Sequence, residues 1–272
     1  MKQESQFLFS SIDESSAKGS LSRAVILLKV IAQGSSKGSS LSQLVARTGL
    51  PRPTIHRTMD MLMEIGWAYR DPATQLYNLG PSLAALGYTA ISRHAIERIA
   101  SIYLNDLALT LKQVVYLGVR TGLDHTCIGR YESELTIKEG KGRAGLRYPL
   151  GLTPSCMAIL ARLPLHEIES VINLNLPRYY RIEGFDERGF RNAVKKAIKD
   201  GYSTYDGIVL DRSMSGLGVA ICDQTGYPIA GIGTTFPTGK LDKNQLNACL
   251  AKMQESAQLI SGVLQKFHMI ES

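Results

Sequence analysis

Residues 40–66, SLSQLVARTGLPRPTIHRTMDMLMEIG, read as two short helices joined by a tight turn, and that reading organises the rest of the chain. Leu41, Leu44 and Val45 fall at i, i+3 and i+4, the spacing of one apolar helix face, with Ser40 before them as N-cap, so a helix starts at Leu41. Gly49 stands where a left-handed C-cap is needed. Pro51 and Pro53 are tolerated only in a first helical turn, which places the next start near Arg52. In this second helix Ile55, Met59, Leu62 and Met63 make the stripe to be buried, and Arg52, Thr54, His56 and Arg57 face away from it. Arg pairs bidentately with guanine, Thr bonds phosphate or touches a thymine methyl, and a helix N-terminus offers free N–H groups to phosphate. Helical hairpins with a basic face also occur in proteins that never touch DNA, so the next segment matters. WAYRDPATQLYNLG (67–80) predicts a strand over Trp67–Arg70, an Asp-Pro turn over Asp71–Thr74 and a strand over Gln75–Leu79. Helix, turn, helix and hairpin in that order describe a winged helix-turn-helix, with Arg70 and Gln75 on the wing.

At 272 residues the chain is long enough for this module and a second domain that buries its own core. The formal charge is +7, of which residues 1–80 carry +3, with nine Lys or Arg against six Asp or Glu. Net charge therefore fits a nucleic-acid partner without locating it, and the argument rests on the arrangement of Arg52, His56, Arg57 and Arg70. Cys127, Cys156, Cys222 and Cys249 are far apart, with no CxxC pair and no His at metal spacing, which predicts reduced thiols in a cytoplasmic protein with neither metal nor cofactor. No apolar run reaches 18 residues, and MKQESQFLFSSIDESSAKGS lacks the apolar core of a signal peptide, so no membrane association is expected.

Residues 1–19 read as a mobile tail, with a short partner-binding helix as the alternative. Ser20 then caps LSRAVILLKVIAQG, whose Leu21, Ala24, Val25, Leu28, Val30 and Ile31 form an apolar face ended by Gly34, and SSKGSS follows as a loop that could set Lys37, Ser39 and Ser40 beside a phosphate. SLSRAVILLKVIAQ, the 40–66 stretch with WAYRD, and YNLGPSLAALG together resemble the head of the IclR family of bacterial transcriptional regulators. GLRYPLGLTPSCMAILA and VAICDQTGYPIAGIGTTFPTGKL resemble segments of that family's effector domain, so the likeness runs over residues 20–265. It implies a two-domain α/β protein: a winged helix-turn-helix over 20–81, a linker helix over 82–108, and a GAF-like α/β effector domain over 109–272, assembled as dimers or tetramers on operator DNA in the cytoplasm, at the nucleoid. The candidate DNA contacts are Arg23, Ser40, Gly49, Arg52, Thr54, His56, Arg57, Arg70 and Gln75.

The linker is expected as a long helical pattern capped by Ser82 and interrupted by Gly87, with Leu83, Leu86, Ala90 and Ile91 available to a second copy or to the head. VVYLGVRTG and HTCIGRYES read as a hairpin around Gly122 and Asp124, and YSTYDGIVLDRSMSGLGVAICDQTGYPIAGIGTTF carries two strands, Leu217–Cys222 and Pro228–Thr235. GRAGLRYPLGLTPSCMAILARLP runs from a Gly- and Pro-rich loop into a helix near Ser155, whose free N–H groups could hold a small carboxylate. The family usually has Gly where this chain has Cys156, which narrows the pocket expected there. The candidate effector-binding residues are Leu146, Thr153, Ser155, Cys156, Met157, Val219, Gly233 and Thr235, with Asp206 or Asp211 in an acidic role, and the ligand implied is a small acidic or aromatic catabolite. Two rival readings are a DNA-binding protein without ligand and an enzyme. Ser155 with His166, or Cys156 with His125 or His166, could be assembled into a nucleophile and base, with Asp124, Asp206 or Asp211 orienting. There is no GxSxG elbow, Walker loop, GxGxxG or HExxH, so no catalysis is expected.

Overall fold

The computed structural model describes residues 19–32, 34–35, 37–92, 95–133, 143–205 and 212–271, and the chain divides at residues 93–94 into two units. In the first, α1 (Ser20–Ala32), α2 (Leu41–Thr48) and α3 (Arg52–Glu64) precede the strands β1 (Ala68–Arg70) and β2 (Tyr77–Leu79), and α4 (Pro81–Ser92) follows. Their apolar stripes meet in one core of Leu27, Val30, Ile31, Leu44, Ile55, Met59, Leu62, Ala68 and Tyr77. Leu21, expected on the buried face of α1, is 74% exposed; Ile26 and Leu27 are buried on that helix instead. Ser39 is buried, its N–H donates to the Tyr77 carbonyl at 2.9 Å and its carbonyl accepts from the Tyr77 N–H at 2.9 Å, which lays the loop before α2 against β2.

The linker helix expected over 82–108 is helical on either side of residues 93–94, which lie outside the described residues. It begins at Pro81, whose fixed φ suits a first helical position, rather than after a Ser82 cap. Its second half is α5 (Ala95–Leu111), which is built into the other unit: Ile99, Ala100, Leu104, Leu107 and Ala108 are buried there against the sheet. With α9 (Lys243–Glu271), α5 supplies the layer that covers one sheet face.

That sheet has six antiparallel strands in the order β5 (Arg147–Pro149), β4 (Asp124–Tyr131), β3 (Val114–Thr121), β8 (Pro228–Pro237), β7 (Met214–Cys222) and β6 (Ser203–Tyr205). Alternation sends Leu217, Val219 and Ile221 of β7 and Ala230, Ile232 and Phe236 of β8 to the face covered by α5 and α9 (Lys243–Glu271). The other face meets α6 (Pro154–Arg162), behind which α7 (Leu165–Tyr179) and α8 (Glu187–Asp200) close a second core. The β7–β8 turn is the expected DQTG: the Asp223 carboxylate accepts from the Thr225 and Tyr227 N–H groups, and Gly226 takes φ 83°.

Candidate nucleic-acid interface and candidate ligand site

The outer surface of the first unit is shaped by how α2 and α3 begin and end. Ser40 caps α2 in a full capping box: its hydroxyl accepts from the Gln43 N–H at 3.2 Å, and its own N–H donates to Gln43 Oε1 at 2.7 Å. Gly49 ends the helix at φ 65°, and its N–H is spent on the Val45 carbonyl at 2.9 Å. Both residues thus build the turn, and the Ser40 hydroxyl, which accepts from Gln43, keeps its O–H as a donor. With Ile55, Thr58, Met59 and Leu62 buried, α3 presents Arg52, Pro53, His56, Arg57 and Asp60 outward, while Thr54 is half-buried. Positive charge is therefore on its N-terminal half, the half that enters a major groove, and Asp60 and Glu64 lie beyond. Ser42 is exposed on the first turn of α2, and Arg52 Nη2 reaches its hydroxyl at 3.5 Å. Arg23 is half-buried, with Nε donating to the Gly19 carbonyl at 3.3 Å.

At the wing the connection is longer than expected, residues 71–76 rather than 71–74. Gln75 is not in a strand: it takes a left-handed φ of 60°, its N–H donates to the Asp71 carbonyl at 2.8 Å, and its side-chain amide donates to the Pro72 carbonyl at 2.8 Å. The backbone N–H and hydroxyl of Thr74 hold the Asp71 carboxyl below its usual range. Arg70 is aimed by two contacts, Nε to the Gln75 carbonyl at 3.2 Å and its guanidinium 5.4 Å from the Tyr77 ring centre.

In the body, α6 lies directly on a patch of glycine. A Cβ at Gly216, Gly218 or Gly231 would fall on the backbone or side chain of Pro154 or on the Ser155 carbonyl, and one at Gly233 would stand 3.0 Å from Ser155 N. The loop before α6 is pinned by Tyr179 and Tyr205, whose hydroxyls donate to the carbonyls of Leu150 and Gly151. The expectation that Gly233 lines a cavity is therefore corrected: its missing side chain makes room for the first turn of α6. Val219 is corrected too. It points to the α5/α9 face, because Gly218 is the neighbour that turns toward α6. Cys156 and Met157 are buried in the core with α7 and α8, so the Cys156 side chain does not narrow a pocket on the sheet; burial pushes its thiol up to about 11. Asp206 and Asp211 lie outside the described residues.

What the fold does bring together on the α6 face is polar. Ser155 Oγ lies 3.1 Å from His125 Nε2, whose ring covers Gly118, and Thr153 Oγ1 lies 3.4 Å from Ser155 Oγ and donates to Cys156 Sγ at 3.0 Å. Burial lowers His125 to about 4, so the imidazole is neutral at pH 7. The histidine that reaches Ser155 is thus His125 and not His166, which is exposed at the start of α7. Asp124 does not orient it: its carboxylate is held by Arg147 Nε at 2.6 Å and Arg178 Nη2 at 2.5 Å. Beside this cluster Leu146 is buried at the edge of β4, its carbonyl accepting from the Cys127 N–H at 2.8 Å, and Thr235 is half-buried on β8. Among the described residues no group of three His, Cys, Asp or Glu could hold a metal ion, and no helix is long and apolar enough to cross a membrane.

Comparison with known proteins places both units. Residues 20–72 match the IclR helix-turn-helix domain and residues 88–262 match the bacterial transcriptional regulator IclR C-terminal domain. The HTH-type transcriptional regulator KipR of Bacillus subtilis is 26% identical over 223 residues, 82% of this chain and 88% of KipR. Among solved structures, the Thermotoga maritima IclR aligns with a TM-score of 0.70 at 24% identity, covering 90% of this chain and 98% of that one. An IclR homologue from Microbacterium hydrocarbonoxydans complexed with 4-hydroxybenzoate aligns with a TM-score of 0.72 at 20% identity, covering 91% of this chain and all (100%) of that one.

Proposed function

Because the chain belongs to the IclR family of bacterial transcriptional regulators, and so is a helix-turn-helix DNA-binding regulator, we propose that it reads its operator through the outer face of α3 and that a small molecule held by the body changes operator affinity. The observation that carries the DNA reading is the division of α3 into a buried stripe, Ile55, Met59 and Leu62, and an exposed basic start, Arg52, His56 and Arg57. In this reading Arg52 and Arg57 meet base edges, while Arg70 at the wing and Arg23 meet the backbone. Ser40 and Gly49 act by holding α2 and the turn, with Thr54 and Gln75 at the edge of the interface.

The effector reading is supported by the polar cluster under α6 and by the family's solved relative with 4-hydroxybenzoate. It assigns Leu146, Thr153, Ser155 and Thr235 to the ligand's surroundings and makes the ligand a small acidic or aromatic compound. Exposed Leu21 on α1 and Leu86 on α4 support self-association as a dimer or tetramer, and a two-fold dimer reads a palindrome. The chain acts in the cytoplasm, at the nucleoid, and is not an enzyme: the Ser155–His125 pair lacks an orienting carboxylate, since Asp124 is bound by two arginines. Selection of binding sites from random duplex DNA tests the whole proposal. The expected product is a palindrome bound with steep salt dependence, and enrichment of no sequence overturns it.

A further inference from the structure

We propose that Asp60 on α3 is a specificity-determining residue whose carboxylate accepts from the exocyclic amine of a cytosine in the operator; this rests on the reading of α3 above. Asp60 is exposed, four residues after His56 and three after Arg57, so it shares the outer face of the helix with them. At that spacing Arg57 could close an ion pair with it. Among the described residues, however, neither Arg57 nor any other group holds the Asp60 carboxylate.

A second observation is the order of charge along α3. Acids in the first turn of a helix and bases in the last stabilise it, because they oppose the partial charges of its free N–H and C=O groups. α3 has no acid in its first turn and no base in its last. Arg52 opens it, Arg57 follows, and Asp60 and Glu64 stand toward its C-terminal end. The helix thus carries its charges against its own dipole, which marks the pattern as serving a partner outside the fold. Phosphates account for the basic start but not for the acid, since a carboxylate brought into a groove between two phosphate strands is repelled by both. It is tolerated only where a donor answers it. Major-groove edges offer two such donors, adenine N6–H and cytosine N4–H. Adenine sets the N7 lone pair beside its amine and repels a carboxylate there, whereas cytosine sets a C–H, so cytosine is the base that Asp60 fits. Asp60 works by difference: a site with the cytosine gains a charge-assisted hydrogen bond, and any other sequence meets an unanswered negative charge.

The experiment selects binding sites from random duplex DNA with full-length wild type, Asp60→Ala, Asp60→Asn and a double Arg52→Ala, Arg57→Ala protein, and titrates each with the wild-type site and with scrambled DNA. The wild type is expected to require cytosine at one position and to lose about tenfold in affinity when that base pair is changed, as loss of a hydrogen bond to a charged group does. Asp60→Ala should accept any base there and bind scrambled DNA several-fold more tightly, because the repelling charge is gone. Asp60→Asn should turn the preference to adenine, whose N6 and N7 fit an amide. Both substitutions remove an exposed charge that opposes the helix dipole, so neither should lower the thermal transition. If the wild type requires no cytosine, if either Asp60 variant still requires it, or if Asp60→Ala binds scrambled DNA no more tightly, the proposal is overturned; a selection lost or altered in the double arginine variant then leaves the reading of α3 standing. If the double variant selects the wild-type site at wild-type affinity, or the wild type enriches no sequence, the reading of α3 fails and this proposal with it.

Discussion

Arg57 on α3 and Gly218 on β7 show what single residues decide in the two units. Arg57 is exposed, the last residue of the basic start of α3, and none of the described residues pairs with its guanidinium. Arg57→Ala is expected to leave the thermal transition in place and to remove about 1–3 kcal/mol of discrimination between operator and scrambled DNA. Competition titrations check this, and an unchanged preference would move base reading elsewhere on α3. Gly218 is the opposite case, since its Cβ would fall on the Pro154 carbonyl oxygen, a backbone atom of the first turn of α6 that cannot swing aside. Gly218→Ala should destabilise the body by about 1–3 kcal/mol or more, measured by urea unfolding, with the α6 seat loosened and ligand response lost together.

The elements are held by small local devices. Ser40 joins two hydrogen bonds with Gln43 at the start of α2, so Ser40→Ala is expected to lower stability of the helix-turn-helix by about 1 kcal/mol. Amide hydrogen exchange at Leu44 and Val45 reads that loss locally, and a Ser40→Asp protein, which keeps a cap, should recover most of it. Each of these devices was legible along the chain: Ser40, Gly49 and Pro51 bracket the helices by backbone chemistry alone. The partner of residues 95–108 was not, because their apolar spacing is the same whether they face a second chain or a sheet. It is the contacts of Ile99, Leu104 and Leu107 with strand residues far away in sequence that assign α5 to the body.

Over the whole molecule, acid should reach stability through His125. The unfolded chain has an ordinary imidazole near 6.5, whereas burial lowers the folded one to about 4. The unfolded state therefore binds the proton first as pH falls, so the stabilisation is fully present above about pH 6.5, is lost through the window down to about 4, and is level below it. The size is roughly 3 kcal/mol. Urea unfolding at a series of pH values in that window checks it against His125→Gln, which should show a flatter slope; parallel slopes would assign the acid sensitivity to other groups.

Periodicity, caps and prolines determined the helix-turn-helix, the hairpin after it, the strand pair around Asp223 and the covering helix α9, because each depends on residues within a few positions of one another. The family likeness carried the order of domains. What the tertiary structure alone decided is which side of the sheet each body residue serves. Val219 and Gly218 are neighbours in sequence and face opposite layers, and only the packing of α6 onto Gly216, Gly218, Gly231 and Gly233 says which layer is which. The meeting of Arg130 with Tyr116, 14 positions apart, is a product of strand register, and that of His125 with Ser155, 30 positions apart, of the packing of α6 on the sheet; neither leaves a trace in local spacing.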